Sequence, residues 1–184
     1  YHVRLREICD RHGILLVFDE VITGFGRTGQ AFAAQSFGVT PDMITMAKAL
    51  TNGAQPMGAV AVSERIHDAI VGAAPDGAIE FFHGYTYSGH PAACAAGIAT
   101  LDIYEREGLF DRARALSPHF LETMFALADL PAVADIRGYG MLAAIEVHPD
   151  VDTHVTGILR FRSGAVGTLI ARIMADHPAA FGFC

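Results

Sequence analysis

Two short apolar runs between Ile14 and Leu50 limit what this chain can fold into. Leu15-Leu16-Val17-Phe18 ends in Asp19, and Met43-Ile44-Thr45-Met46-Ala47 ends in Lys48. Four or five apolar residues bounded by polar or turn residues suit a strand buried on both faces, as in a parallel sheet. In open α/β sheets, ligands sit in the crevice beyond the carboxyl ends of the strands. Asp19 and Lys48 are therefore candidates to face one site from opposite sides. A lone carboxylate with a lone amine suits a bound group that needs one of each.

The rest of the chain is compatible with such a site. Its 184 residues are 52% hydrophobic, enough for a sizeable core and too apolar for disorder. The net charge is −7 and the basic residues are scattered, which argues against a nucleic-acid or anionic-membrane surface. Arg4/Arg6 and Arg112/Arg114, the densest basic spots, are expected on solvated helix faces. Cys9, Cys94 and Cys184 lie far apart without a CxxC pair, which predicts a reducing cytoplasm. No apolar run approaches the ~18 residues of a membrane span, and the start carries no signal-peptide pattern. The chain opens at Tyr1 inside a helical pattern, so it reads as a fragment.

In chain order, residues 1–12 are expected to be helical, with Gly13 as the terminating glycine. The first strand follows at once, a helix–strand step typical of α/β folds. A glycine-punctuated loop from Gly24 to Gly29 and a weakly helical segment from Gln30 to Phe37 lead to the second strand. Gly58–Val62 reads as a small-residue strand, with Ser63 as N-cap of a helix to about Val71. Phe81 to Gly89 is an aromatic, polar, glycine-bearing loop of the kind that carries function. Pro91 opens a long helix that Gly108 ends. Leu109–Leu127 is a further helix that Pro118 kinks or splits. Val133–Ile136 and Met141–Val147 read as strands joined across Arg137–Gly140, and Val155–Phe161 with Ala165–Ala171 as a hairpin around Arg162-Ser163-Gly164. The switch from βα alternation to hairpins places domain bounds at 1–107, 108–148 and 149–184.

Asp19 alone has three readings. It can be an ordinary strand-end turn acid. It can be the Mg²⁺-serving acid of a P-loop nucleotidase, because LLVFDE has that shape, although no GxxxxGK[ST] accompanies it. It can be the carboxylate that keeps a pyridinium nitrogen protonated. Gly24-Phe25-Gly26-Arg27-Thr28-Gly29 matches GxGxxG formally, but a dinucleotide fingerprint should follow its strand directly and open a helix. Here DEVIT intervenes, and Asp42 precedes the next apolar run instead of ending it. A buried Lys48 would lose charge stabilisation and become a nucleophile able to form a Schiff base. His83, His90 and Cys94, at spacings of seven and four, match no common zinc pattern. Thr86, Tyr87 and Ser88, between Gly84 and Gly89, are placed to donate to an anion. Ser36, Ser117 and His119 form no triad-like signature.

DEVITGFGRTG, MAKALTNGAQPMGAV and FFHGYTYSGHPAACAAG, in that order, resemble the class III, fold-type I, pyridoxal-phosphate aminotransferases, closest to their ω-amino acid (β-alanine):pyruvate branch. The resemblance spans residues 1–147. It implies an α/β fold: the later part of a large domain, with a mostly parallel sheet and helices on both faces, then the start of a smaller α+β domain. It implies that Lys48 forms the Schiff base with pyridoxal 5'-phosphate, that Asp19 pairs with the pyridine nitrogen, and that Val21 packs on the ring. Thr86 would bind the cofactor phosphate of the neighbouring subunit, hence a homodimer with shared sites. The activity implied is amino transfer from an ω-amino acid or amine to pyruvate or a similar keto acid, with a lone fragment inactive. A nicotinamide oxidoreductase and a P-loop ATPase are the rival readings. No arginine matches the family's carboxylate-binding motif, and the tail (LRFRSGAVGTL) is similar instead to a strand pair of glucose–fructose-oxidoreductase-like enzymes, as a fusion or frameshift would produce.

Overall fold

A computed structural model of the chain describes residues 1–81 and 83–148, together with the backbone of residues 154–160 and 166–172. The expected first helix forms as α1 (His2–His12) and stops at Gly13, φ 64°. There Gly13 donates to the Asp10 carbonyl and Ile14 to that of Cys9, a left-handed ending that glycine adopts without steric cost. Next come β1 (Val17–Asp19), α2 (Ala33–Ser36), β2 (Met43–Met46), a 3-10 turn at Lys48–Leu50, β3 (Ala59–Val62) and α3 (Glu64–Gly72). Ser63 precedes α3, but its hydroxyl caps nothing and is buried without a partner among the described residues. Its carbonyl instead accepts from Ile66 and His67. α4 (Pro91–Arg106) opens on its proline, and α5 (Leu109–Phe125) runs through Pro118 without splitting. A proline there forfeits one helical hydrogen bond and not the helix.

β1 pairs parallel with β2, placing Asp19 beside Thr45, and β2 pairs antiparallel with β3, placing Met46 beside Ala59. Pleating then puts Phe18, Ile44, Met46, Ala59 and Ala61 on one face, and Val17, Asp19, Met43, Thr45, Val60 and Val62 on the other. The first face meets the core. Phe18 packs against Cys9, Leu16 and Val39, while Met46 and Ala59 pack against Phe25, Ala49 and Leu50. On the second face Val17, Val60 and Val62 remain 46%, 61% and 42% exposed. Burial of both strands on two faces is thus not found among the described residues, and the apolar runs shorten to strands of three and four residues.

Asp42 fixes the start of this sheet. Its carboxylate accepts from the Leu16 N–H (2.8 Å), Arg6 of α1 (2.8 Å) and Arg65 of α3 (2.8 Å). Its carbonyl accepts from Ser63. The Leu16 amide, with help from both guanidiniums, pulls the Asp42 carboxyl down to about 2. Arg6 is therefore no solvated charge: its side chain keeps 20% of its surface and bridges Asp42 and Asp10. Arg4 and Arg114 do lie out in solvent, paired with Glu7 and Asp111.

β4 (Val133–Tyr139) and β5 (Leu142–Val147) form a two-stranded sheet, and β6 (His154–Arg160) pairs antiparallel with β7 (Val166–Arg172). The expected second hairpin therefore exists, while its turn at Arg162-Ser163-Gly164 lies outside the described residues. By contacts the chain divides into two units, residues 1–123 with 138–143, and 124–137 with 144–184. Among the described residues no helix is long and apolar enough to cross a membrane.

Candidate active site

Asp19 is exposed at the carboxyl end of β1. Its Oδ1 accepts the Val21 N–H at 3.1 Å and the Thr45 hydroxyl at 3.0 Å. Among the described residues Oδ2 accepts no hydrogen bond, so one oxygen is pinned and the other is free. The tight turn that supplies the Val21 N–H also fixes the spacing from Asp19 to Val21, which is half-buried. Val21 thus stands beside the carboxylate by local geometry alone.

Lys48 lies two residues beyond β2, the strand next to Asp19. The expected desolvation of its side chain is not found, for Lys48 is exposed. The reason is the backbone. Ala47 leaves the strand, Lys48 adopts φ 45°, and this reversal turns Ala49 (8% exposed) and Leu50 (7%) into the core instead. Left-handed backbone is uncommon for a residue with a side chain, and it persists where surrounding bonds over-determine it. Here Gly53 donates to the Lys48 carbonyl (3.2 Å), Leu50 to that of Ala47 (2.9 Å), and Tyr104 of α4 through its hydroxyl to that of Ala49 (2.7 Å). Burial pushes the Tyr104 phenol up, which keeps it a donor. Among the described residues the Lys48 amine forms no ion pair.

Thr86 is exposed in the aromatic loop, next to Tyr85 at φ 46° and before Gly89 at φ 69°. With Tyr85, Tyr87, Ser88 and His90 it lines a cavity of about 640 Å³. Asp19 lines a different one of about 250 Å³, with Phe18, Phe37 and residues of α1. Lys48 and Val21 line neither cavity. Asp19 and Lys48 thus follow from the carboxyl ends of two adjacent strands, while Thr86 and Asp19 line different cavities. Among the described residues no three His, Cys, Asp or Glu side chains are placed to hold a metal ion.

The glycine loop is occupied by packing. A Cβ on Gly24 would sit 2.9 Å from the Glu20 carbonyl, and one on Gly140 2.7 Å from the Arg27 carbonyl. Gly26 lies against Phe110. The following helix, α2, has four residues and begins after Phe32, so the loop does not open a helix as a dinucleotide fingerprint does. Glu20 is 1% exposed and receives the N–H groups of Ala33 (2.7 Å) and Ala34 (2.8 Å) and the Thr23 hydroxyl (2.9 Å). The second acid of LLVFDE is therefore spent inside the protein on capping α2.

A family model for class-III aminotransferases matches residues 1–173. The chain belongs to this family. It is 58% identical over 149 residues to an omega-aminotransferase of Caulobacter vibrioides, covering 81% of this chain and 34% of that protein. It is 53% identical over 150 residues to a beta-alanine–pyruvate aminotransferase of Pseudomonas aeruginosa, with 81% and 34% covered. Among solved structures it matches an (S)-enantioselective omega-transaminase of Thermomicrobium roseum, at TM-score 0.74 and 42% identity over 80% of this chain and 32% of that one. An amine transaminase of an uncultivated Pseudomonas species, in PLP-bound form, matches at TM-score 0.73 and 45% identity, with 80% and 33% covered. The chain spans about a third of the length of these relatives. The family match also runs past residue 147, where the motif resemblance ends.

In this class-III aminotransferase chain, three residues that follow or support Asp19 and the Lys48 turn were not among the site candidates visible in the sequence: Glu20, Thr45 and Tyr104. Thr45 carried a signal, being the one polar residue inside its apolar run. Glu20 carried a weaker one, as an acid between apolar neighbours. Tyr104 carried none, because its partner is a backbone carbonyl 55 residues away.

Proposed function

We propose that the protein carrying this chain is a pyridoxal-5'-phosphate-dependent transaminase that moves an amino group from an ω-amino acid or amine to pyruvate or a similar keto acid. The observation that carries the reading is the delivery of Asp19 and Lys48 by two adjacent parallel strands. Family membership and the relatives' names support it. The residues fit the cofactor. Among the described residues, one carboxylate oxygen at the end of β1 is free and suits a protonated ring nitrogen, and the Lys48 amine, on constrained backbone, is unpaired and suits an aldehyde carbon.

When bound, pyridoxal phosphate supplies that aldehyde and an electron-accepting ring. Lys48 Nζ is the nucleophile that holds it, and afterwards the base that moves a proton at the substrate carbon. Asp19 Oδ2 keeps the ring nitrogen protonated, because a fixed anion favours the cationic form. Val21 packs on the ring. Thr86, which lines a different cavity from Asp19, binds the phosphate held by the neighbouring subunit, so the working unit is a homodimer. We further assign residues 1–107 to the large domain and 108–148 to the start of the small one, in a protein of the cytoplasm.

The test is amino transfer from β-alanine to pyruvate, followed as alanine formed. Transfer that disappears in Lys48→Ala and falls by two or more orders of magnitude in Asp19→Ala supports the reading, on the scale of a lost electrostatic contact to the reacting system (about 10²-fold or more). Transfer unchanged in Lys48→Ala refutes it.

A further inference from the structure

We infer that Thr45 is a positioning residue for the cofactor's ring nitrogen, acting through Asp19; this rests on the transaminase reading above. Thr45 is the direct cross-strand partner of Asp19 in the parallel β1–β2 pair. It grips the end of β1 twice. Its carbonyl accepts the Glu20 N–H at 2.9 Å, and its hydroxyl donates to Asp19 Oδ1 at 3.0 Å. Because the Val21 N–H also goes to Oδ1, both donors sit on the same oxygen. A carboxylate held this way cannot spin about its terminal torsion, which is otherwise broad and roughly two-fold. Among the described residues Oδ2 has no donor, which leaves it available to accept a hydrogen bond from a ligand.

A backbone donor alone would leave this selection to one bond on an exposed side chain. Asp19 is exposed, so its rotamer is not fixed by packing. The Thr45 hydroxyl supplies the second point. It does so from the strand that leads, three residues later, to Lys48. The orientation of the carboxylate and the placing of the amine are therefore set by the same element. A threonine at this register position also keeps the β-branched shape that suits the sheet, so valine would fill the site while removing only the hydroxyl.

The experiment compares wild type, Thr45→Val and Thr45→Ser in the protein as it exists, loaded with ¹⁵N-labelled pyridoxal phosphate. Three quantities are read: the nitrogen chemical shift of the bound ring, the cofactor dissociation constant and the thermal midpoint. Thr45→Val should weaken cofactor binding about 3- to 10-fold, the scale of one hydrogen bond to a charged group felt indirectly. It should also move the ring-nitrogen shift toward the unprotonated value. Thr45→Ser, which keeps the hydroxyl, should restore both, and the thermal midpoints should not follow this order. If Thr45→Val matches wild type in shift and affinity, or if Thr45→Ser fails together with it, the inference is overturned. A wild-type protein that does not take the cofactor onto Lys48 overturns the transaminase reading, and this one with it.

Discussion

Replacing Asp42 by asparagine tests whether the sheet that carries Asp19 and Lys48 is pinned at its start. The carboxylate is depressed from its ordinary 3.8 to about 2 by the Leu16 amide, Arg6 and Arg65. At about 1.4 kcal/mol for each tenfold change in proton affinity, that corresponds to roughly 2 kcal/mol. Arg65 keeps 70% of its side chain in solvent, so its share is screened, and about 1–2 kcal/mol is the better expectation. The sign follows from the direction of the shift. A depressed carboxylate stabilises the fold above its unfolded value near 4 and loses that contribution as the pH falls through about 2. Urea unfolding followed by circular dichroism, for wild type and Asp42→Asn between pH 7 and pH 2.5, reads this directly. The variant should be about 1–2 kcal/mol less stable at pH 7, equivalent to a drop of about 2–8 °C in melting temperature. The gap should narrow below about pH 4, where the wild-type carboxylate protonates on unfolding. An equal gap at both ends of the range, or none at pH 7, would refute the pinning argument.

Two further changes address the neighbouring supports. Glu20→Gln presents an amide N–H₂ to backbone donors at Ala33 or Ala34, so thermal unfolding should report a loss on the order of 2–3 kcal/mol; a change within 0.5 kcal/mol would show that the carboxylate does not hold α2. Tyr104→Phe removes the bond to the Ala49 carbonyl and should cost about 1 kcal/mol. Hydrogen exchange should then rise at Leu50 and Gly53, beside the turn that carries Lys48, and unchanged exchange there would separate Tyr104 from that turn.

The two strand ends were legible in the sequence because a run of apolar residues that stops at a charge carries its own register. β1 and β2 do end at, or two residues short of, the charges that define them. Burial was not legible, because it depends on what covers the sheet. Val17 sits in an apolar run yet is 46% exposed, and Lys48 lies between apolar neighbours yet faces out because of one left-handed residue. The glycine loop was legible in part, since DEVIT between strand and loop already spoke against a dinucleotide fingerprint. GFGRTG has the spacing of a phosphate cradle, but Gly24 lacks room for a side chain beside the Glu20 carbonyl, and Gly140 packs against the loop at the Arg27 carbonyl. Arg6 looked solvated because helical spacing does not reveal a partner 36 residues downstream. Local pattern thus located the charges, and non-local contacts decided their surroundings.

The proposed chemistry depends most on Lys48 being the residue that holds the cofactor covalently. Borohydride reduction of the protein in the presence of pyridoxal phosphate, followed by proteolysis and peptide mass mapping, tests this in one step. The prediction is a single pyridoxyl adduct on Lys48, absent in Lys48→Ala. An adduct on any other residue, or one that persists in Lys48→Ala, would contradict it.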